Sequence, residues 1–230
     1  MIAFPGLTAL VLAVLTLAVF GQWRSRRKPH QLAWTTALAF GLLGTLAYVG
    51  VVQTGGNPWL FRIYYLGGAV LIAPLLGVGS AYLLPDPRWA RLLLGITVAC
   101  ALVAGVGLAA LPLDRGALAN LDLGPGAGVV TAAPVIASVI IANTLGTIAV
   151  VGVALRSLLA AVFRARPWTL VWGNGLIAAG TLIIAAAGSL ARLGHGVGFW
   201  GTMTIGWIVL YGGFALLAAG TAPATRPVAA

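Results

Sequence analysis

The chain has 230 residues, of which 61% are hydrophobic and 7% are charged, with 13 basic residues against 3 acidic ones. A soluble domain carries roughly 25% charged residues, so the composition excludes a soluble globular protein and indicates an all-α polytopic membrane protein. Because the basic residues fall between apolar runs, they are interpreted as topology signals, and we expect membrane lipids and no nucleic acid around the chain.

Seven apolar runs are each long enough to cross the roughly 30 Å hydrocarbon core of a bilayer at about 1.5 Å of helical rise per residue. We expect them to form one seven-helix domain over residues 1–219, followed by a short cytoplasmic tail, 220–230. No basic residue precedes the first run, which is therefore expected to be a retained helix and not a signal peptide. The predicted spans are residues 2–21, 32–52, 61–84, 90–111, 133–155, 169–190 and 199–219.

The distribution of basic residues predicts the orientation. Arg62, Arg115 and Arg192 lie on one side of the predicted spans, and the loops on the other side, together with the tail, hold the remaining ten. The positive-inside rule then places the N-terminus outside and the C-terminus in the cytoplasm, as a multi-pass protein of the inner (plasma) membrane. Tryptophans, which favour membrane interfaces, lie near the predicted span ends: Trp23, Trp59, Trp89, Trp168 and Trp200.

The third span has two different faces. Small residues recur at every fourth position on one side, while Tyr64 and Tyr82 fall roughly opposite. The small face predicts close packing against the fourth or fifth span, and the tyrosines are interpreted as interfacial anchors. Pro74 is expected to kink the span, and Arg62 either extends to the outer surface or pairs with an aspartate of the long connector. The small face consists of Ala69, Ala73, Gly77 and Ala81.

The absence of certain residue types from the sequence disfavours several kinds of chemistry. There is no glutamate, and the three aspartates lie in predicted loops, which disfavours proton- or cation-coupled pumping. The only lysine, Lys28, is in a loop, so no retinal Schiff base is expected. His30 and His195 are separated by about a bilayer thickness and cannot ligate one metal or haem within a monomer. We therefore expect no metal site, no catalytic residue and no enzymatic activity.

The seventh span carries the predicted ligand-binding residues. Its larger side chains recur at intervals of four, three, four and three, which places five of them within an arc of about 80°. Such a surface can line a pocket for an apolar ligand such as a carotenoid, a quinone or a lipid, and the alternative is packing against lipid or other helices. The five residues are Trp200, Thr204, Trp207, Tyr211 and Phe214.

Polar side chains at membrane depth form a second candidate group. Asn143 in the fifth span and Asn174 in the sixth must find hydrogen-bond partners away from water, and Thr147 is predicted at a similar depth. Hydrogen bonds between helices are one interpretation. The other is a polar constriction that contacts a solute.

Two functional hypotheses follow. The first is a non-enzymatic membrane protein that binds an apolar small molecule or lipid, or is an accessory subunit of a larger membrane complex, with a membrane protein or a second copy as partner. The second is a facilitative carrier or channel for a small neutral solute. For a ligand site, we expect the third span to be scaffold and the seventh to contact the ligand. The tripeptides Gly44-Thr45-Leu46 and Gly180-Thr181-Leu182 weakly suggest a duplicated three-helix unit.

Overall fold

The computed structural model describes residues 2–119, 121, 126, 128–193 and 198–219. The described residues form seven long helices and a short connector helix, Arg115–Ala119. Each long helix has the length and apolar composition of a membrane span, which indicates a multi-pass membrane protein. The predicted tail, 220–230, lies outside the described residues. The helices are α1 (Ala3–Arg26), α2 (Pro29–Gln53), α3 (Pro58–Ala81), α4 (Arg88–Ala110), α5 (Ala133–Phe163), α6 (Trp168–Arg192) and α7 (Phe199–Ala219).

Several helix ends differ from the predicted boundaries: α1 continues to Arg26, beyond the predicted end at residue 21, and α3 ends at Ala81, before the predicted end at residue 84. Two further differences have local reasons. Helix α3 begins at Pro58, three residues before the predicted start, because the Asn57 side chain accepts hydrogen bonds from the backbone N–H groups of Trp59 (2.9 Å) and Leu60 (3.3 Å). Helix α5 continues to Phe163, beyond the predicted end at residue 155. Its last two turns consist largely of good helix formers. The basic residue that begins these turns does not end the helix, because a long basic side chain can reach water while its backbone stays helical.

Six of the seven long helices form a closed ring. Each of the pairs α1–α2, α2–α3, α3–α5, α5–α6, α6–α7 and α7–α1 is in contact. Helix α4 packs on the outside of this ring, against α3 and α5. Helices α1, α3, α5 and α7 begin at the end of the bundle that contains Arg192, here called the Arg192 end, and the even-numbered helices end there.

Glycine pairs let neighbouring helices of the ring approach closely. A Cβ at Gly77 of α3 would lie 2.7 Å from the Cα of Gly146 of α5, so the small face of the third span packs against the fifth, as predicted. Gly105 of the fourth span makes no such contact, because a Cβ there would meet no described atom within 4 Å. The close contact is therefore between α3 and α5.

The ring divides into two three-helix units, α1–α3 and α5–α7, with corresponding contacts. The first two helices of each unit are in contact, as are the last two, and the last helix of each unit contacts the first helix of the other. A Cβ at Gly44 of α2 would lie 2.7 Å from the Gly68 nitrogen of α3, and one at Gly180 of α6 would lie 2.7 Å from the Gly206 oxygen of α7. The matching tripeptides thus occupy corresponding places. A duplication stays a prediction, and this correspondence favours it.

Arg62 holds α3 against the end of α4. Its Nε donates to the Leu108 carbonyl (2.9 Å) and its terminal nitrogen to the Leu111 carbonyl (3.1 Å), while the guanidinium lies over the Trp59 ring. Neither predicted arrangement, extension to the surface or pairing with an aspartate, describes these contacts. The last carbonyls of a helix lack backbone donors, and a guanidinium from a neighbouring helix satisfies two of them.

Candidate ligand-binding cavity

A cavity of about 390 Å³ lies inside the six-helix ring. Its wall includes residues from α1, α2, α3, α5, α6 and α7, whereas α4 contributes none of the lining residues. The volume falls within the range of roughly 300–1,000 Å³ that is typical of small-molecule sites. Most of the wall is apolar or aromatic. Among the described lining residues, Arg192 is the single charged one.

Helix α3 forms a large part of this wall. Its middle segment, Tyr65–Leu71, is π-helical, between α-helical segments on either side. Single π-helical turns are rare and are often found at functional sites. The third span, expected to be scaffold for a ligand site, thus also forms part of the cavity wall. The α3 lining residues are Tyr64, Tyr65, Gly68, Ala69, Ile72, Ala73 and Leu76.

Asn143 of α5 completes the hydrogen bonding of this irregular segment. Its Nδ2 donates to the Ala69 carbonyl at 2.7 Å. Pro74 follows this segment, and its missing N–H removes one backbone donor from the helix. The Asn143 amide thus supplies a donor from α5 to the backbone of α3, while the same residue lines the cavity. Of the two interpretations of Asn143, the hydrogen bond between helices describes this geometry.

Replacing Asn143 with alanine is expected to destabilise the protein by about 1 kcal/mol, because it removes the hydrogen bond from α5 to the Ala69 carbonyl of α3 in an apolar wall. Asn174→Ala is the matched control. The Asn174 amide donates to the Leu170 carbonyl of its own helix (2.7 Å), so its loss separates no helices. Unfolding of both variants by denaturing detergent measures the difference. Equal destabilisation by the two changes would contradict the role assigned to Asn143.

The structure brings together two of the three predicted polar residues. Thr147 lines the cavity one helical turn from Asn143. Asn174 is not among the lining residues. The hydroxyls of Thr45 and Thr181, which also line the cavity, donate to carbonyls four residues earlier in their own helices, at 2.9 and 2.7 Å.

The five predicted residues of the seventh span separate into different environments. Trp200 and Trp207 line the cavity, and Trp207 is 1% exposed. The Thr204 hydroxyl lies 2.7 Å from the Thr8 hydroxyl and joins α7 to α1. Tyr211 is on the exposed surface, and Phe214 is half-buried against the apolar cluster around Trp207. The α7 residues that line the cavity are Phe199, Trp200, Met203, Trp207 and Leu210.

An aromatic cluster closes the wall at the Arg192 end. Its neighbouring ring centroids lie between 4.5 and 6.4 Å apart, distances at which aromatic rings attract each other. Tyr64 is 4% exposed inside this cluster, so its interpretation as an interfacial anchor is wrong. The cluster consists of Tyr48, Phe61, Tyr64, Tyr65, Phe199 and Trp200.

The histidines do not enter the described cavity wall. His30 lies at the opposite end of the bundle and packs edge-on against Trp34, with ring centroids 5.2 Å apart. His195 lies outside the described residues. In the part of the chain that the structure describes, no group of three or more His, Cys, Asp or Glu residues is close enough to hold a metal ion.

Two lining residues that sequence reasoning missed are Tyr65 and Arg192. The only sequence signal for Tyr65 was the run Tyr64-Tyr65-Leu66-Gly67-Gly68, in which bulky residues precede two glycines. The sequence pattern identifies Arg192 only as a topology signal. The chain matches no protein-family model, no curated protein and no solved structure.

Proposed function

We propose that the chain is a non-enzymatic membrane protein that binds an apolar small molecule or lipid in the cavity of the six-helix ring. The observation that carries this proposal is a cavity of about 390 Å³, walled mainly by apolar and aromatic side chains. Aromatic faces and aliphatic side chains contact an apolar ligand without leaving polar groups unpaired. The proposed ligand belongs to the apolar class expected from the sequence, which includes carotenoids, quinones and lipids.

The cavity also has an approach from the side of the bundle. Ile140, Thr144 and Ile148 lie one turn apart on α5, line the cavity and are exposed on the bundle surface. Ser189 of α6 is likewise both lining and exposed. From these exposed lining residues we infer that the cavity opens to the lipid between α5 and α6. A molecule dissolved in the surrounding lipid can enter there without crossing water.

Extraction of the purified protein tests this proposal. The full chain is purified in a mild detergent, and its organic extract is examined by mass spectrometry and by visible and ultraviolet absorbance. We expect one apolar species at a ratio near one per chain that survives washing with detergent. Extracts that contain only lipids in the proportions of the host membrane would contradict the proposal.

The arrangement of the two three-helix units favours a second candidate, a facilitative carrier for a small neutral solute. In many carriers the substrate site lies between two repeated units that rock against each other. Here the cavity lies between α1–α3 and α5–α7, with the amide of Asn143 and the hydroxyl of Thr147 in its wall.

Thiol accessibility distinguishes the two candidates. Cys100, the single cysteine, is replaced with alanine, and Thr147→Cys is introduced into that background. A carrier predicts reaction with a membrane-impermeant thiol reagent from each side of the membrane. A lipid-binding cavity predicts reaction with an apolar reagent and protection from the impermeant one.

A further inference from the structure

Three lining residues at the Arg192 end carry hydrogen-bond donors. They are the Arg192 guanidinium, the Tyr65 hydroxyl and the Trp200 indole N–H, all on lining residues. Arg192 lies beside the Tyr65 hydroxyl without completing a hydrogen bond to it. The rest of the wall offers an incoming molecule mainly carbon atoms. The cavity is therefore amphipathic, with its polar end at Arg192.

Two of these donors are buried without partners among the described residues. The Tyr65 hydroxyl and the Trp200 indole N–H complete no hydrogen bond there, although the two side chains are 2% and 5% exposed and Arg192 and Tyr48, respectively, lie beside them. A buried polar group without a partner is uncommon in native proteins, and an unseen ligand or water is a usual explanation. Because an indole N–H and a guanidinium can only donate, the missing partner must be an acceptor.

Charge makes an anionic acceptor the best fit. No carboxylate of the described residues pairs with Arg192: Asp86 lies at the opposite end of the bundle, and the Asp114 side chain accepts from the N–H groups of Gly116 and Ala117. An arginine at a helix end often extends to the membrane surface, where water solvates it. That explanation accounts for the exposed Arg192 but leaves the buried Tyr65 hydroxyl without a partner.

The length of the cavity fits one acyl chain. Along α3 its wall runs from Tyr64 to Leu76, which at about 1.5 Å per residue is roughly 18 Å. Half of a hydrocarbon core of about 30 Å, the depth of one lipid leaflet, is of similar length. Trp207, Leu12 and Leu210 lie in the wall away from Arg192.

We propose that the cavity binds a single-chain carboxylate amphiphile, a long-chain fatty acid, with its carboxylate at Arg192 and Tyr65 and its chain against Trp207. This inference rests on the proposed function and names the ligand class for the same cavity. The guanidinium binds the carboxylate oxygens, and the Tyr65 hydroxyl donates to one of them. The chain enters from the lipid between α5 and α6.

Paired binding measurements with two probes test the proposal. Radiolabelled oleic acid and oleyl alcohol share one chain and differ in the headgroup. Each is bound to the full chain reconstituted in nanodiscs of neutral lipid, with protein-free nanodiscs as the blank. Because a hydrogen bond to a charged group contributes more binding free energy than one to a neutral group, we expect oleate to bind roughly tenfold more tightly than the alcohol. Arg192→Gln is expected to remove this preference and to leave the affinity for oleyl alcohol unchanged.

Three further variants control the measurement. Arg166→Gln removes an exposed charge at the opposite end of the bundle and is expected to leave the preference intact. Arg192→Lys keeps the charge, and we expect it to retain part of the preference for oleate. Tyr65→Phe removes one hydroxyl from an almost unchanged side chain, and we expect a several-fold loss for oleate alone. If Arg192→Gln does not fold, Arg192→Lys and Tyr65→Phe carry the same test.

The outcomes separate the two proposals. Equal affinity of the wild-type protein for both probes, or equal losses in Arg192→Gln and Arg166→Gln, would overturn the fatty-acid assignment and leave the apolar cavity as a ligand site. Binding of neither probe would overturn the assignment as well. A stoichiometric apolar species in the extract would then still support the proposed function, and its absence would contradict both.

Discussion

Gly146→Ala is expected to destabilise the protein by about 1–3 kcal/mol, although it adds a single methyl group. A Cβ at Gly146 would lie 2.5 Å from the Ala73 carbonyl oxygen and 2.7 Å from the Pro74 Cα. Both atoms belong to the backbone of α3, so no side chain can move aside. Helices α3 and α5 must separate where they form two adjacent walls of the cavity.

Gly152→Ala in the same helix is the control for this change. A Cβ at Gly152 would meet no described atom within 4 Å. Alanine favours a helix over glycine by up to about 1 kcal/mol, so this variant is expected to be neutral or slightly more stable. Thermal unfolding of the two variants in the same detergent gives the comparison. If both changes shift the transition equally, the close contact between α3 and α5 is not as described.

Ala185→Phe is expected to abolish ligand binding. Ala185 lines the cavity on α6, two turns from Arg192, and a phenylalanine there occupies space that the ligand needs. The phenylalanine ring would overlap the space that the ligand occupies. We therefore expect at least a tenfold fall in the amount of ligand that co-purifies, which corresponds to a loss of about 1.4 kcal/mol or more of binding free energy. The measurement is mass spectrometry of organic extracts, normalised to protein.

The neighbouring residue provides the control. Ala186 is exposed on the bundle surface and is not a lining residue, so Ala186→Phe adds the same side chain outside the cavity. We expect it to retain the ligand. Equal amounts of ligand in the two variants would show that the bound molecule occupies another place, such as the lipid-facing surface.

The helices themselves follow closely from the sequence. Each apolar run is long enough to cross the membrane, where its backbone N–H and C=O groups have no water to bond, and a helix pairs them within the run. The errors are at the ends. Asn57 and Pro58 read as a turn but start α3, and residues 156–163, which begin with Arg156, read as part of a basic loop but belong to α5. Composition predicts which segments lie in lipid and which lie in water. The exact helix ends depend on capping groups and on how far a long side chain reaches.

The arrangement of the helices and the cavity wall were harder to predict. A regular periodicity of about 100° per residue groups Trp200 with Thr204 and Tyr211, yet the contacts with α1 and α6 leave only part of that arc facing inward. On α3, the π-helical segment changes the angular step after Tyr64, so the faces drawn for an ideal helix do not continue through it. The pairing of Asn143 with Ala69 depends on a helix 74 residues away, which no local pattern reports.

Electron cryomicroscopy of the full chain in nanodiscs, with a bound fragment to increase its size, tests the central claim most directly. The account predicts continuous elongated density inside the ring of α1, α2, α3, α5, α6 and α7, in contact with Trp207 and ending near Arg192. It also predicts no such density in Ala185→Phe. A ring whose interior is filled by ordered water, or collapsed so that Trp207 packs directly on Asn143, would contradict it.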